Sequence, residues 1–188
     1  MNFARRWLMS LPMLAVLAMP ALADEYADTV EVFRKAGESG EFFGKSYGYA
    51  VFPTIGKGGV GLGGAHGTGR VYAGGAYVGD TSMTQVTLGF QLGGQAYSQI
   101  IFFQDKKAFD KFTSGNFAFG AQANAVAITA SASAQATTSG SGAGASATKK
   151  NARTVSAWQD GMAVFTVAKG GLMYEASIGG QKYSYKPN

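Results

Sequence analysis

The feature that most constrains this chain is a ribbon of glycine, eleven residues of it within the 24 from Gly56 to Gly79. An apolar run, Tyr49-Ala50-Val51-Phe52, leads into it and is closed by Pro53. Glycine permits positive φ, bulges and close backbone approach, so the ribbon reads as tightly packed β-hairpins. Gly58, Gly59, Gly61, Gly63 and Gly64 are the positions expected to need that freedom. Two phosphate-binding motifs partly match the same stretch. A phosphate-binding loop needs a Lys and a Ser or Thr after its last glycine, whereas Leu62-Gly63 follow Gly61 here. Gly59, Gly61 and Gly64 fit the dinucleotide fingerprint, but that motif works by opening a helix whose N-terminus faces the pyrophosphate. Arg70 to Val78 has a strand's composition and no 3.6-residue period, so nucleotide binding is not expected.

At the N-terminus, Arg5 and Arg6 precede an apolar segment from Trp7 to Leu17, and Ala21-Leu22-Ala23 supplies the small residues read by a signal peptidase. The segment is short and interrupted by Ser10, Pro12 and Pro20, which argues against a membrane span. Residues 1–23 are therefore expected to be a secretory signal, and 24–188 a single domain that is exported to the periplasm or cell envelope, or secreted. The chain has no cysteine, which excludes disulfides, thiolate metal sites and a lipid-modified N-terminal cysteine. Without the leader the net charge falls from +5 to +3, and the remaining charge is unevenly placed. Residues 24–41 carry six acids against Arg34 and Lys35, whereas the rest carries twelve bases against five acids. A basic body of this kind suits an anionic surface.

Asp24 to Ala36 places Tyr26, Val30 and Phe33 at helical spacing, with acids in the first turn and bases in the last, as the helix dipole prefers. Its acidic polar face predicts docking on the domain rather than on a membrane. A second turn over Glu41 to Lys45 presents Phe42 and Phe43 as apolar lipid-contact candidates. A turn is expected at Gly79-Asp80, followed by a half-buried strand over Thr84 to Leu92 with Val86, Leu88, Phe90 and Leu92 inward. The continuous Ile100-Ile101-Phe102-Phe103 predicts a strand buried on both faces. Asp105 is a candidate N-cap for a helix through Phe112, with Ala108, Phe109 and Phe112 inward and Lys106, Lys107 and Lys111 outward. Thr137 to Thr148 reads as a loop ending in the basic cluster Lys149, Lys150 and Arg153. The remainder reads as a meander of strands over 154–159, 162–168 and 172–178, with a last one over 182–185.

Enzymatic function finds little support in this inventory. His66 is the only histidine, set in the glycine ribbon, and Asp105 and Asp110 lie five apart, so they do not share a helix face well. No catalytic, metal or cofactor site is expected, and no nucleic-acid partner. An outer-membrane barrel is the competing reading, since about 165 residues of alternating strand suffice for eight spans. The helices expected over 24–36 and 105–112 speak against it.

Tyr49-Ala50-Val51-Phe52-Pro53, the glycine ribbon to Gly69, the strand pair from Gln91 to Phe103, Phe112 to Gly120, and Lys169-Gly170-Gly171-Leu172 before Gly179-Gly180 together resemble the SYLF domain family. The resemblance covers almost the whole of 24–188. It implies a non-enzymatic lipid-binding module, whose eukaryotic members use basic residues and an N-terminal amphipathic helix to engage phosphoinositides, and whose fungal members also bind actin. This chain departs from that pattern in its acidic N-terminal helix and in Thr166 to Met173, which lacks the Tyr-Ser pair of eukaryotic members. Those departures turn the expectation from actin and phosphoinositides toward anionic bacterial phospholipids. The basic residues expected to meet them are Lys57, Arg70, Lys106, Lys107, Lys111, Lys149, Lys150 and Arg153. The expected architecture is α+β, mainly antiparallel β, curled into a glycine-rich sandwich or partly closed barrel with short peripheral helices.

Overall fold

The computed structural model describes residues 24–89, 94–128, 158–169 and 178–188. The expected leader, the loop over 137–148, the cluster Lys149, Lys150 and Arg153, and nearly all of the strands expected over 154–159 and 172–178 lie outside them. The described elements run α1 (Glu25–Lys35), α2 (Gly37–Gly40), a 3-10 turn (Glu41–Gly44), β1 (Gly48–Ala73), β2 (Ala76–Gly89), β3 (Gln95–Phe103), α3 (Lys106–Phe112), β4 (Phe117–Ala118), β5 (Val126–Ile128), β6 (Met162–Lys169) and β7 (Lys182–Pro187).

The 26 residues of β1 would span roughly 85 Å if straight, against a radius of gyration of about 15 Å for a domain of this size. The strand instead folds back on itself. Residues 48–57 pair with β3, and residues 61–73 pair with β2. The two arms run side by side: Gly74 N donates to Tyr47 O at 3.3 Å, and the Tyr49 and Tyr72 rings stack at 5.0 Å. The reversal passes through Gly59, whose φ of 146° is open to glycine and rarely to other residues. No helix begins within the ribbon, so the geometry that a dinucleotide fingerprint requires is not built.

Strand order is β4-β7-β2-β1-β3-β6-β5, one sheet curled into a half-barrel. It is mostly β with a few helices, and it is mixed, because β5 runs parallel to β6 while the other ladders are antiparallel. One curled sheet, rather than a sandwich of two, is possible because its two faces bury separate cores. The concave face gathers Ala50, Phe52, Ile55, Val71, Met83, Ile101, Phe103 and Tyr183, closed at one end by Phe112 of α3 and by Phe117 and Phe119. The convex face buries Val51, Ile100, Phe102 and Phe165 under Val30 and Phe33 of α1. Alternate residues of Ile100 to Phe103 serve the two cores, which is why that run is uniformly apolar.

Three expectations need correction. Gly79 and Asp80 lie inside β2, paired with Pro187 and Lys186, and the turn falls at Gly74-Gly75, both with positive φ. The strand over 162–168, expected between those over 154–159 and 172–178 in a meander, lies as β6 between β3 and β5 among the described strands, and β7 lies across the sheet between β4 and β2. Most consequential, the inward face of β2 is Thr81, Met83 and Gln85, so Val86 points outward and is 70 % exposed. Gln85 is tolerated inside because Nε2 donates to the Gly179 carbonyl at 2.9 Å and Oε1 accepts from Gln181 Nε2 at 3.5 Å. Phe90 and Leu92 of that expected stripe lie outside the described residues.

Candidate functional site

The N-terminal helix is held on the domain by polar as well as apolar contacts. Asp24 caps it, accepting from Tyr26 N at 3.1 Å, and the same carboxylate pairs with Arg70 Nη1 at 3.1 Å. The Arg70 guanidinium lies 4.1 Å from the centre of the Tyr26 ring and 5.5 Å from that of Tyr77, a cation–π arrangement that reinforces the ion pair. At the same end of the helix, Lys169 Nζ donates to Thr54 Oγ1 at 2.7 Å and pairs with Glu25 at 3.4 Å. Arg70, expected at a membrane surface, thus serves as an anchor for α1. Phe42 and Phe43 are also committed to the protein. Phe42 packs against Phe165, Trp158 and Phe102 at 4.9, 5.0 and 5.6 Å, and Phe43 against Phe102 and Tyr49 at 4.9 and 5.3 Å, leaving both half-buried.

The helix expected to carry the densest basic face forms as foreseen. Asp105 caps α3 through Ala108 N at 2.8 Å, with Ala108 and Phe112 buried and the three lysines exposed. Its charge, however, is balanced. Lys106 bonds Asp110 at 2.7 Å, which raises the Lys106 pKa through that hydrogen bond, and Lys111 pairs with Asp160 of the turn before β6. With Asp105, three acids stand against Lys106, Lys107 and Lys111. Lys57 is at the other end of the sheet, opposite Gln95 in a ladder whose far end pairs Gly48 with Phe103, just before α3. The described basic candidates therefore do not converge on one patch.

A different surface stands out. The outer face of β7, β2 and the second arm of β1 carries exposed Lys182, Ser184 and Lys186, then Thr84 and Val86, then Leu62, His66 and Thr68. Among the described residues, Leu62 (64 % exposed) and Val86 (70 %) are the most exposed large apolar ones. They sit two positions out of register across one ladder, since Gly64 faces Val86 and Leu62 faces Leu88, so their side chains lie diagonally on one face. Lys182, opposite Thr84, lies two residues from Val86, whereas Lys57 alternates onto the side of Ile55, the concave face. Sequence reasoning missed this surface because it assigned Val86 to the core. The signal was available in Gly61, Gly63 and Gly64 flanking Leu62, which give a leucine little to pack against. His66 lies on the same face, its Nδ1 3.4 Å from Thr84 Oγ1. Among the described residues no group of three or more His, Asp or Glu is placed to hold a metal ion.

The family model described as Ysc84, Las17-binding protein actin regulator, matches residues 84–187, more than half of the chain. Among curated proteins, beta cell expansion factor A of Aeromonas veronii is 27 % identical over 166 residues, which is 84 % of this chain and 53 % of that protein. The chain thus spans about half the length of the curated relative it matches.

Proposed function

The chain belongs to the Ysc84 (SYLF) family, whose role at family level is that of a lipid- or actin-binding module, and on that premise we propose that it attaches peripherally to anionic phospholipid membranes without catalysing a reaction. The observation that carries the choice of lipid is the exposed pair Leu62 and Val86 beside Lys182. Apolar side chains of that size leave water with a gain of about 1.5–3 kcal/mol each when fully buried, and a lysine near an anionic surface adds about 1 kcal/mol. Half-burial of the pair with one lysine gives roughly 2.5–4 kcal/mol, a weak and reversible attachment in the millimolar range. Lys149, Lys150 and Arg153 would each add about 1 kcal/mol if they reach the same headgroups. The acidic helix α1 is turned to the sheet and is not the lipid contact in this reading. Export to the cell envelope belongs to the same proposal, supported by the pattern of residues 1–23.

A spanning barrel is the less favoured reading, because lipid-facing strands of such a barrel expose their outer side chains, whereas Val51, Ile100 and Phe102 are buried under α1. Flotation of the mature chain with phosphatidylglycerol or phosphatidylcholine vesicles, alongside co-sedimentation with filamentous actin, tests the proposal. Salt-sensitive flotation with phosphatidylglycerol alone is expected. Co-sedimentation with actin and no flotation would replace the lipid reading with the other family role.

A further inference from the structure

Polar side chains cross the concave interior among the rings. Gln99 of β3 donates through Nε2 to Tyr183 Oη at 2.7 Å and to Gln181 Oε1 at 3.2 Å. Gln181 in turn donates to Tyr97 Oη at 3.1 Å, and Tyr183 Oη donates to Gln181 Oε1. Strands β3 and β7 are separated by β1 and β2 in the sheet, so these bonds tie the two walls of the half-barrel across its hollow side. Two atoms are left out of the network. Gln99 Oε1 and Thr166 Oγ1 are buried and meet no donor or acceptor among the described residues, in residues 0 % and 1 % exposed. Gln99 and Thr166 are direct partners in the β3–β6 ladder, which puts both on the concave face side by side.

Leaving one such group unpaired is costly, and native proteins rarely do so twice in adjacent positions. The chemistry of the pair narrows what could satisfy it. Gln99 Oε1 only accepts, whereas the Thr166 hydroxyl can donate and accept, so the missing group must donate to the first and accept from, or donate to, the second. An ionised carboxylate offers only acceptors to Gln99 Oε1, and either it or a phosphate would bring in a negative charge where no cationic side chain belongs to the network. A bare ammonium would bring an unpaired charge into the interior. We propose that the half-barrel binds one neutral hydroxyl between Gln99 Oε1 and Thr166 Oγ1, supplied by a buried water or by a small uncharged alcohol. The inference is independent of membrane attachment.

Thr166→Val keeps the side-chain shape and removes the hydroxyl. If the hydroxyl is bonded to a guest, the variant should melt about 2–4 °C lower. A dry, unpaired hydroxyl would instead be relieved, and the melting temperature would stay or rise. Oxygen-17 relaxation dispersion on the mature chain detects a long-lived internal water, and solvent extraction with mass spectrometry detects a stoichiometric alcohol. The proposal requires one of these species in the wild type, its loss in Thr166→Val, and the lower melting temperature; failure of any of the three overturns it. Should Thr166→Val not fold, Thr166→Ser must keep the species and Thr166→Ala must lose it.

Discussion

Gly69→Ala tests the folded-back ribbon at one of its close crossings, where the opposing atoms are a buried ring and a paired carbonyl. A Cβ at Gly69 would stand 2.7 Å from Cδ1 and Cε1 of Phe52 and 2.7 Å from the Val51 carbonyl oxygen. The ring is fully buried between the arms of β1 and Tyr183, 5.7 Å away, so it has little room to yield, and the carbonyl belongs to a paired strand. Overpacking costs typically 1–3 kcal/mol, and contact with backbone places this case near the top, at about 3 kcal/mol. For a domain of this size that lowers the melting temperature by roughly 6–12 °C. The paired control is Gly58→Ala, where a Cβ would meet nothing within 4 Å, so a change of no more than about 1 kcal/mol, in the stabilising direction, is expected. Urea unfolding followed by circular dichroism reads both. Equal stability of Gly69→Ala and the parent, or equal loss in the two variants, would show that the arms do not pack as described.

Arg70→Ala should release the start of α1 while leaving the sheet intact, seen as faster amide exchange over residues 25–35 and a stability loss of about 1–2 kcal/mol from the ring and carboxylate contacts; unchanged exchange would remove Arg70 as the anchor. Burial pushes Tyr97 and Tyr183 above the ordinary tyrosine range, so the unfolded chain loses those protons first and stability should fall as pH rises past about 10. Absorbance at 295 nm should then show both ionising only with unfolding; free titration near pH 10 in the folded protein would contradict their burial. In flotation with phosphatidylglycerol vesicles, Lys106→Glu/Lys107→Glu should reduce binding by less than Leu62→Ser/Val86→Ser, because α3 already balances its charge; the reverse order would restore α3 as the contact.

Much of this fold was legible because its signals are local. Asp105 announces α3, the acid-to-base gradient announces α1, and the apolar run Ile100 to Phe103 announces a strand covered on both sides. The glycine ribbon announced close packing, but not where. Gly58 has open space around its missing side chain, whereas Gly67 and Gly69 carry the contact, because which glycines meet the opposite arm depends on the register of a reversal that sequence does not print. The same limit governed the candidate site. Alternation along Thr84 to Leu92 specifies two faces without saying which is inside, and the inward choice was made by Met83 and Gln85, the latter through partners about 95 residues away. Charge fared no better, since Asp160, which neutralises Lys111, lies 49 residues from it in the chain.

Because the chain contains no cysteine, single cysteines can be introduced and labelled without competition. An environment-sensitive nitrobenzoxadiazole probe at Leu62→Cys on the open sheet face, and in a second variant at Val32→Cys on the exposed side of α1, measures which surface meets the bilayer. On titration with phosphatidylglycerol vesicles the probe at position 62 should brighten and shift to the blue while that at position 32 stays unchanged. Brightening at position 32 alone, or at neither position while the protein still floats with the vesicles, would contradict the assignment of the open sheet face as the membrane contact.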